Sequence, residues 1–447
     1  MRAYVARYTS AITVDGTRIL IIGVAFAALL YMSIIGLKPW SIKEKTIPAT
    51  GDGDSSRQLW YAATFAATLL ATAKYPKYFL TLPVSLVLAL AWCWLSATWA
   101  IEPSVSVRRL GLTTLIICTI FWCIGQLGYD RSVWIVRALL VFTLFMNISA
   151  LWITPTAIHR AQDLGAAFGA LDPGIVGSWR GILPHKNYAG AVCALSIIFF
   201  LFDSQRYPRT LRWIVIIGCA FFLLKTGSKT SMGLLVLSLL LGGFLSGYQP
   251  AYRALLIPFF TILVCIGTAV FLIQRDIILE PLSKPDAFTG RVQIWPATLG
   301  YARDHPWTGT GFGSFWNIGP NSPSFEYGRG WVAHLGSGHS GFFDLLAQIG
   351  FPGLLLVLMA VLVIPTVRII GSTTSRRGAA GLVFAALTFC LCHNVTETSL
   401  FDRDSIVQVF LMISVALIGQ VSTSVARPRL ANLPTSRRVG GALVRTQ

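Results

Sequence analysis

Charge is what this chain has little of. Only 12% of its 447 residues are Asp, Glu, Lys or Arg, about half the share found in soluble domains, whereas 54% are hydrophobic. That deficit excludes an ordinary globular protein and points to an all-α polytopic membrane protein. Acidic residues are the scarcer sign, 18 against 36 Lys and Arg, for a formal charge of +18. The eight cysteines contain no CxxC pair and all fall inside apolar segments, so neither a disulfide framework nor a zinc site is implied. Polar linkers, low-complexity tails and repeats of solenoid period are missing too, so residues 1–425 read as one integral membrane domain followed by a basic tail at 426–447. In a soluble protein the positive charge would raise nucleic acid as a partner, but no basic groove module is present to carry it.

A helix needs about 20 apolar residues to cross the hydrocarbon, and windows of that size mark about twelve segments: 19–37, 58–73, 78–98, 107–127, 132–152, 187–203, 211–224, 230–248, 254–274, 350–369, 378–393 and 405–422, the second and seventh being the weakest. Arg2, Arg7 and Arg18 precede a first run that is too long for a signal-peptide core and lacks a small-x-small cleavage site, so it is expected to stay as a span. Lys and Arg are densest in alternate short loops and most acidic residues lie on the other side. This distribution predicts cytoplasmic N- and C-termini, with the two long hydrophilic stretches, 154–186 and 275–338, facing outward. The tail arginines (Arg427, Arg429, Arg437, Arg438 and Arg445) suit anionic membrane lipid. The run from Ser340 to Ile370 is too long for one straight span, and Gly350-Phe351-Pro352-Gly353 interrupts it. This predicts a short interfacial helix at 340–348 ahead of a full span.

Polar groups deep in the spans would mark an ion or proton pathway. Arg137, Asp344, Lys225 and Lys229 lie near span ends instead, which argues against a proton-coupled transporter. The polar chemistry gathers in the outward loops. Gly177 to Asn187 places Arg180, His185 and Lys186 at the start of the sixth span; a guanidinium fork suits a pair of phosphate oxygens, although interfacial cations also serve lipid headgroups. The turn Lys225 to Ser231 offers cations and hydroxyls at a helix N-terminus, either a capped helix start or an anion site. In the second long loop Gly290-Arg291, Trp295 and Gly309-x-Gly311-x-Gly313 interleave glycine with aromatics, a composition suited to stacking on sugar rings, and His334 and His339 follow. An imidazole there can act as a general base or be merely a capping or solvated histidine. Between the last two spans, Asp402-x-Asp404 could hold a divalent cation, but carboxylates flanking Arg403 more often form a local ion pair.

Taken together, these residues resemble the O-antigen ligase and polysaccharide polymerase superfamily (WaaL and Wzy), and within it look most like the ExoQ-type exopolysaccharide polymerases. The resemblance rests on Trp179-Arg180-Gly181 with His185-Lys186-Asn187, Gly290-Arg291 with Trp295, the Gly309 to Gly313 run, His339-Ser340-Gly341 ahead of Gly350-x-Pro352-Gly353-Leu354, and His393-Asn394-Val395-Thr396-Glu397. It covers residues 177–404. It implies a GT-C-type fold with a large periplasmic loop at 275–339, between the ninth and tenth spans. It further implies an inverting, metal-independent glycosyltransferase without a cofactor, acting at the periplasmic face of the bacterial inner membrane. The donor would be an undecaprenyl-diphosphate-linked oligosaccharide and the acceptor a glycan, with flippase and chain-length or export proteins as partners. Carried over by motif, Arg180 and Arg291 would bind the diphosphate and His339 would act on the acceptor hydroxyl. Lys229 stands where the family often has Arg, and Ser340 where many members have Asn. His185, Lys186, His334 and Glu397 complete the candidate set. Polymerase and ligase differ in acceptor, and a lipid-linked glycan flippase or exporter is the alternative from a different class.

Overall fold

The computed structural model describes residues 2–40, 54–160, 175–249, 252, 262, 266, 291–372 and 376–423. The ninth expected span at 254–274 falls almost wholly outside the described residues, as do the segment leading to Gly290 and the basic tail. Among the described residues the apolar windows fold as helices and no strand forms. One antiparallel bridge joins Ile158 to Trp179. In chain order the principal helices are α1 (Arg2–Ile34), α2 (Ser55–Thr72), α3 (Val84–Ser96), α4 (Pro103–Ile153), α5 (Lys186–Leu201), α6 (Arg209–Thr226), α7 (Lys229–Gly247), α8 (Arg291–Asp304), α9 (Gly341–Leu358), α10 (Ile364–Gly371), α11 (Arg377–His393) and α12 (Ile406–Thr423).

Among the described residues, four segments are both long and apolar enough to cross a bilayer: Gly16–Ile34, Pro103–Ile153, Lys229–Gly247 and Gly341–Gly371. Val84–Ser96, Lys186–Leu201, Arg377–His393 and Ile406–Ser422 are shorter apolar helices, while α2 and α6, the two weakest windows, belong to neither group. Large apolar side chains such as Leu80 (85% exposed) and Trp152 (89% exposed) line the outside of the bundle. Water would not tolerate so many, whereas hydrocarbon does. The protein is a multi-pass membrane protein.

Backbone breaks set the path. As one rod, the 51 residues of α4 would run about 76 Å, far beyond the roughly 30 Å of hydrocarbon. Gly128, at φ 71° and ψ 178°, divides it into two limbs, between the expected spans 107–127 and 132–152. Both limb ends meet the two long loops, Arg109 through the carbonyls of Trp316 and Asn317 and Asn147 through the amide of Ile182, so Gly128 turns the chain back. The expected interruption at Gly350 is present as well: its φ is 66°, and a Cβ there would stand 2.4 Å from the carbonyl oxygen of Trp307. Beyond it the helix continues through a π-helical turn, Met359–Val363, into α10. Helix α1 begins at Arg2, and its membrane-length apolar stretch, Gly16–Ile34, lies close to the expected span. One boundary departs from expectation: α3 starts at Val84 rather than 78, because Pro76–Thr81 winds as a 3-10 turn and Pro83 is extended.

Helices α5 and α12 form the centre. Val407, Val409, Phe410, Leu411, Met412 and Ile413 are all fully buried, the mark of a helix enclosed on every side. Around them α7 presses on α11 at small residues. A Cβ on Gly242 would lie 2.7 Å from that of Ala385, and one on Gly381 would lie 1.9 Å from the Ser246 hydroxyl, so close backbone approach replaces the missing hydrophobic drive between helices in lipid.

Candidate functional site

The site assembles where α5 begins and α11 ends. His185 caps α5, its Nδ1 accepting from the Asn187 amide at 3.2 Å. This fixes Lys186 and Asn187 in the first turn. At the end of α11 the chain turns back on itself, with the Glu397 amide donating to the carbonyl of His393 at 3.0 Å. Asn394 holds this turn by accepting from the amide and hydroxyl of Ser399. The turn aims the Glu397 carboxylate at three other segments.

Glu397 is the hub. Its Oε1 accepts from Nδ2 of Asn187 at 2.5 Å and is paired with Nη2 of Arg291, the first residue of α8. Its Oε2 faces Nδ1 of His339 at 3.4 Å. Burial opposes ionisation, but the His339 hydrogen bond and the Arg291 charge prevail and hold the Glu397 carboxyl well below the usual carboxylate range. An ionised Glu397 offers an acceptor to an Nδ1 hydrogen of His339, the tautomer of a neutral imidazole in which Nε2 is the free acceptor. His339 itself is strained: its φ of 51° is left-handed, a conformation unusual for a non-glycine residue. Neighbouring bonds impose it, since the Gly338 amide is tied to Asp344 and the Gly341 amide to the carbonyls of Asn394 and Glu397.

The other candidates sort by distance from this hub. His185 lies beside it, ring to ring with His159 at 5.4 Å, and burial pushes it down to about 4 against the opposing pull of Glu397. It is therefore neutral near pH 7. Lys186 is buried in the same turn. Arg180 is buried too, and its guanidinium reaches the carbonyls of Thr156 and Pro184, so it braces the loop that delivers His185. Lys229 starts α7 on the exposed side of a turn capped by Ser228. That turn abuts the first loop through the Trp179 amide, which donates to the Lys225 carbonyl at 3.0 Å, and abuts α5 through Gly190, packed on Ser228. His334 stands apart, exposed and set edge-on to Phe325 at 5.7 Å.

One reading needs correction. The Gly309, Gly311 and Gly313 run does not offer its backbone to a ligand. All three have left-handed φ, and a Cβ on them would meet Gln348, Ala100 and Arg109 at 2.5, 2.5 and 2.9 Å. These glycines let the loop press on protein. The adjacent Phe312, Phe315 and Trp316 are buried, whereas Trp307, ahead of the run, is exposed. Asp402 forms the local ion pair with Arg403 that its sequence context favours, at 3.0 Å, and Asp404 pairs with Arg57. Among the described residues no cluster of three or more His, Cys, Asp or Glu could hold a metal. A cleft of about 70 Å³ bordered by Arg109, Trp316, Ser337, Asp344, Thr398 and Arg403 opens next to the hub.

This geometry can carry a proton from a hydroxyl to an imidazole beside fixed cations. Residues 213–358 match the O-antigen ligase family model. No curated protein matches the chain. The matched region supports the O-antigen ligase and polysaccharide polymerase superfamily, whose members are glycosyltransferase-like ligases and polymerases. It contains Lys229, Arg291, His334 and His339, whereas Arg180, His185, Lys186 and Glu397 lie outside it and are joined to it by the fold. Asn187 and Asp344 were not singled out as site residues by their sequence context. Asn187 had a signal in the His-Lys-Asn run, and Asp344 in being a carboxylate within an apolar segment.

Proposed function

We propose that this protein is a membrane glycosyltransferase that lengthens an exopolysaccharide, transferring undecaprenyl-diphosphate-linked oligosaccharide to a glycan acceptor at the periplasmic face of the inner membrane. The observation that carries this reading is the Glu397 hub, which sets His339, Arg291 and Asn187 around one buried carboxylate. In the proposed step the acceptor hydroxyl gives its proton to Nε2 of His339 while its oxygen forms a bond to C1 of the donor sugar. The C1–O bond to the diphosphate breaks, and the electron pair leaves with the diphosphate. One displacement from the opposite side inverts C1. Negative charge grows on the leaving group, and fixed guanidinium groups stabilise it without reorganising at the moment of reaction. Arg291 supplies that charge at the hub, with Arg180 and Lys229 on the adjoining loop and turn, and His339 meets the need for a proton acceptor near neutral pH. No step draws on a metal or cofactor.

Glycan analysis of a strain lacking the protein tests the reading. Accumulation of single lipid-linked repeats is the expected result. Full-length polymer stranded on its lipid carrier would make the protein a ligase acting on lipid A core. Repeats trapped on the cytoplasmic side would replace the transferase with a flippase. The orientation has its own check: a reporter active only outside the cytoplasm should work when fused at Asn321 and stay silent at Arg209 or Arg376.

A further inference from the structure

We propose that Asp344 is the positioning residue that sets His339 against Glu397; the inference rests on the glycosyl-transfer reading above. Asp344 is 2% exposed, within α9, so it acts through other residues. Its carboxylate gathers three chain segments. The Gly338 amide donates to Oδ1 and Oδ2 at 3.1 and 2.9 Å, the Trp316 indole donates to Oδ1 at 2.8 Å, and the Thr398 hydroxyl donates to Oδ2. Gly338 immediately precedes His339 and Thr398 immediately follows Glu397. One carboxylate therefore spans the two members of the His–Glu pair, each held by its chain neighbour.

The residue types agree with that task. A carboxylate has only acceptors, enough for all these donors, whereas an amide of the same shape would turn an NH₂ group toward one of them. A Cβ on Gly338 would stand 2.3 Å from Oδ1 of Asp344, so the close approach requires glycine. Trp316 is anchored in turn, its carbonyl accepting from Nη1 of Arg109 at 2.9 Å. The frame thus runs from α4 through Trp316 and Asp344 to both sides of the pair. Displacing a reacting group by about 1 Å can cost about 100-fold in rate, so a shift of the frame that moves His339 against Glu397 would be felt in turnover.

The test is a double-mutant cycle on the full-length protein in detergent, with lipid-linked repeats extracted from the deletion strain as donor and acceptor. Asp344→Asn is expected to lower kcat by about 10- to 100-fold with donor binding unchanged. In a His339→Ala background the same change should cost less than about 2-fold, because its target is gone. An equal loss in both backgrounds, or donor binding that weakens in step with kcat, would overturn the proposal in favour of a folding role. Should Asp344→Asn fail to fold, Thr398 decides: Thr398→Val should lower kcat by about 3- to 10-fold with donor binding unchanged, and Thr398→Ser should restore it. A Thr398→Val protein with wild-type kcat would also overturn the proposal. A fully active His339→Ala protein would instead remove the catalytic reading beneath it.

Discussion

Helices α5 and α11 carry a cluster of charge at each end, and the two clusters behave differently. At one end Arg376 pairs with Asp130 at 2.6 Å and Asp203 at 3.8 Å, Arg206 joins Asp130 at 3.2 Å, and Tyr129 donates to Asp203 at 2.9 Å. Arg137 seals that end of α5, donating to the carbonyls of Phe199, Phe202 and Asp203. Asp130 is 54% and Arg206 78% exposed there. At the other end Glu397 is 13% exposed and Arg291 11%, and the half-open group is a histidine at 35%. Exposed pairs contribute about 0–1 kcal/mol each, while a buried charge is tolerated only when its partners are in place. The first cluster is a clamp on helix ends. The second gathers a buried carboxylate, a cation and a titratable ring in strained backbone, the arrangement expected of a reaction centre.

The sharpest way to break this comparison is to remove the histidine. His339→Ala should leave donor binding nearly intact while turnover falls by about 10² to 10⁴, the usual worth of a positioned acid or base. His334→Ala is the control and should be mild. Wild-type turnover in a well-folded His339→Ala protein, measured with lipid-linked donor, would reduce the hub to another clamp.

Next in size comes the cation. Arg291→Ala leaves Glu397 buried without its guanidinium, so stability should drop by about 3–5 kcal/mol and donor binding should weaken. Arg291→Lys should restore only part of both, because an ammonium cannot reproduce the fork. Calorimetry beside donor-binding measurements separates the two effects.

Acid sharpens the contrast further. The Glu397 carboxyl is held below its ordinary value of 4.5 in the folded protein. Its stabilising contribution is therefore complete above that value and is lost as pH falls below it toward the folded value. Wild-type thermal stability should decline more steeply below pH 4.5 than that of Glu397→Gln, and parallel curves would deny the carboxylate its role.

The smallest effects are expected away from the hub. Asp402→Asn should keep most of its activity, and turnover should persist in EDTA; loss restored by Mg²⁺ or Mn²⁺ would return the Asp402 and Asp404 pair to consideration. At the opposite end Arg376→Ala should cost about 1 kcal/mol or less, with kcat unchanged.

Composition and hydropathy alone established an all-helical membrane protein, and the Gly350-Phe351-Pro352-Gly353 interruption marked its break, because apolar runs and Gly-Pro punctuation are local properties of the chain. Arg291, His339 and Glu397 stood out by residue type and motif. Their meeting did not: Glu397 lies 210 residues from Asn187 and 106 from Arg291, and no periodicity records a contact over such separations. The same holds for Asp344, whose carboxylate in an apolar segment signalled importance without naming its three donors, and for the glycines of 309–313, whose composition suited a ligand surface until packing turned them toward Gln348, Ala100 and Arg109. Local sequence decided which segments enter the membrane and where they break. Only tertiary packing, which brings distant polar groups into a dry interior where each must find a partner, decided which of them form the site.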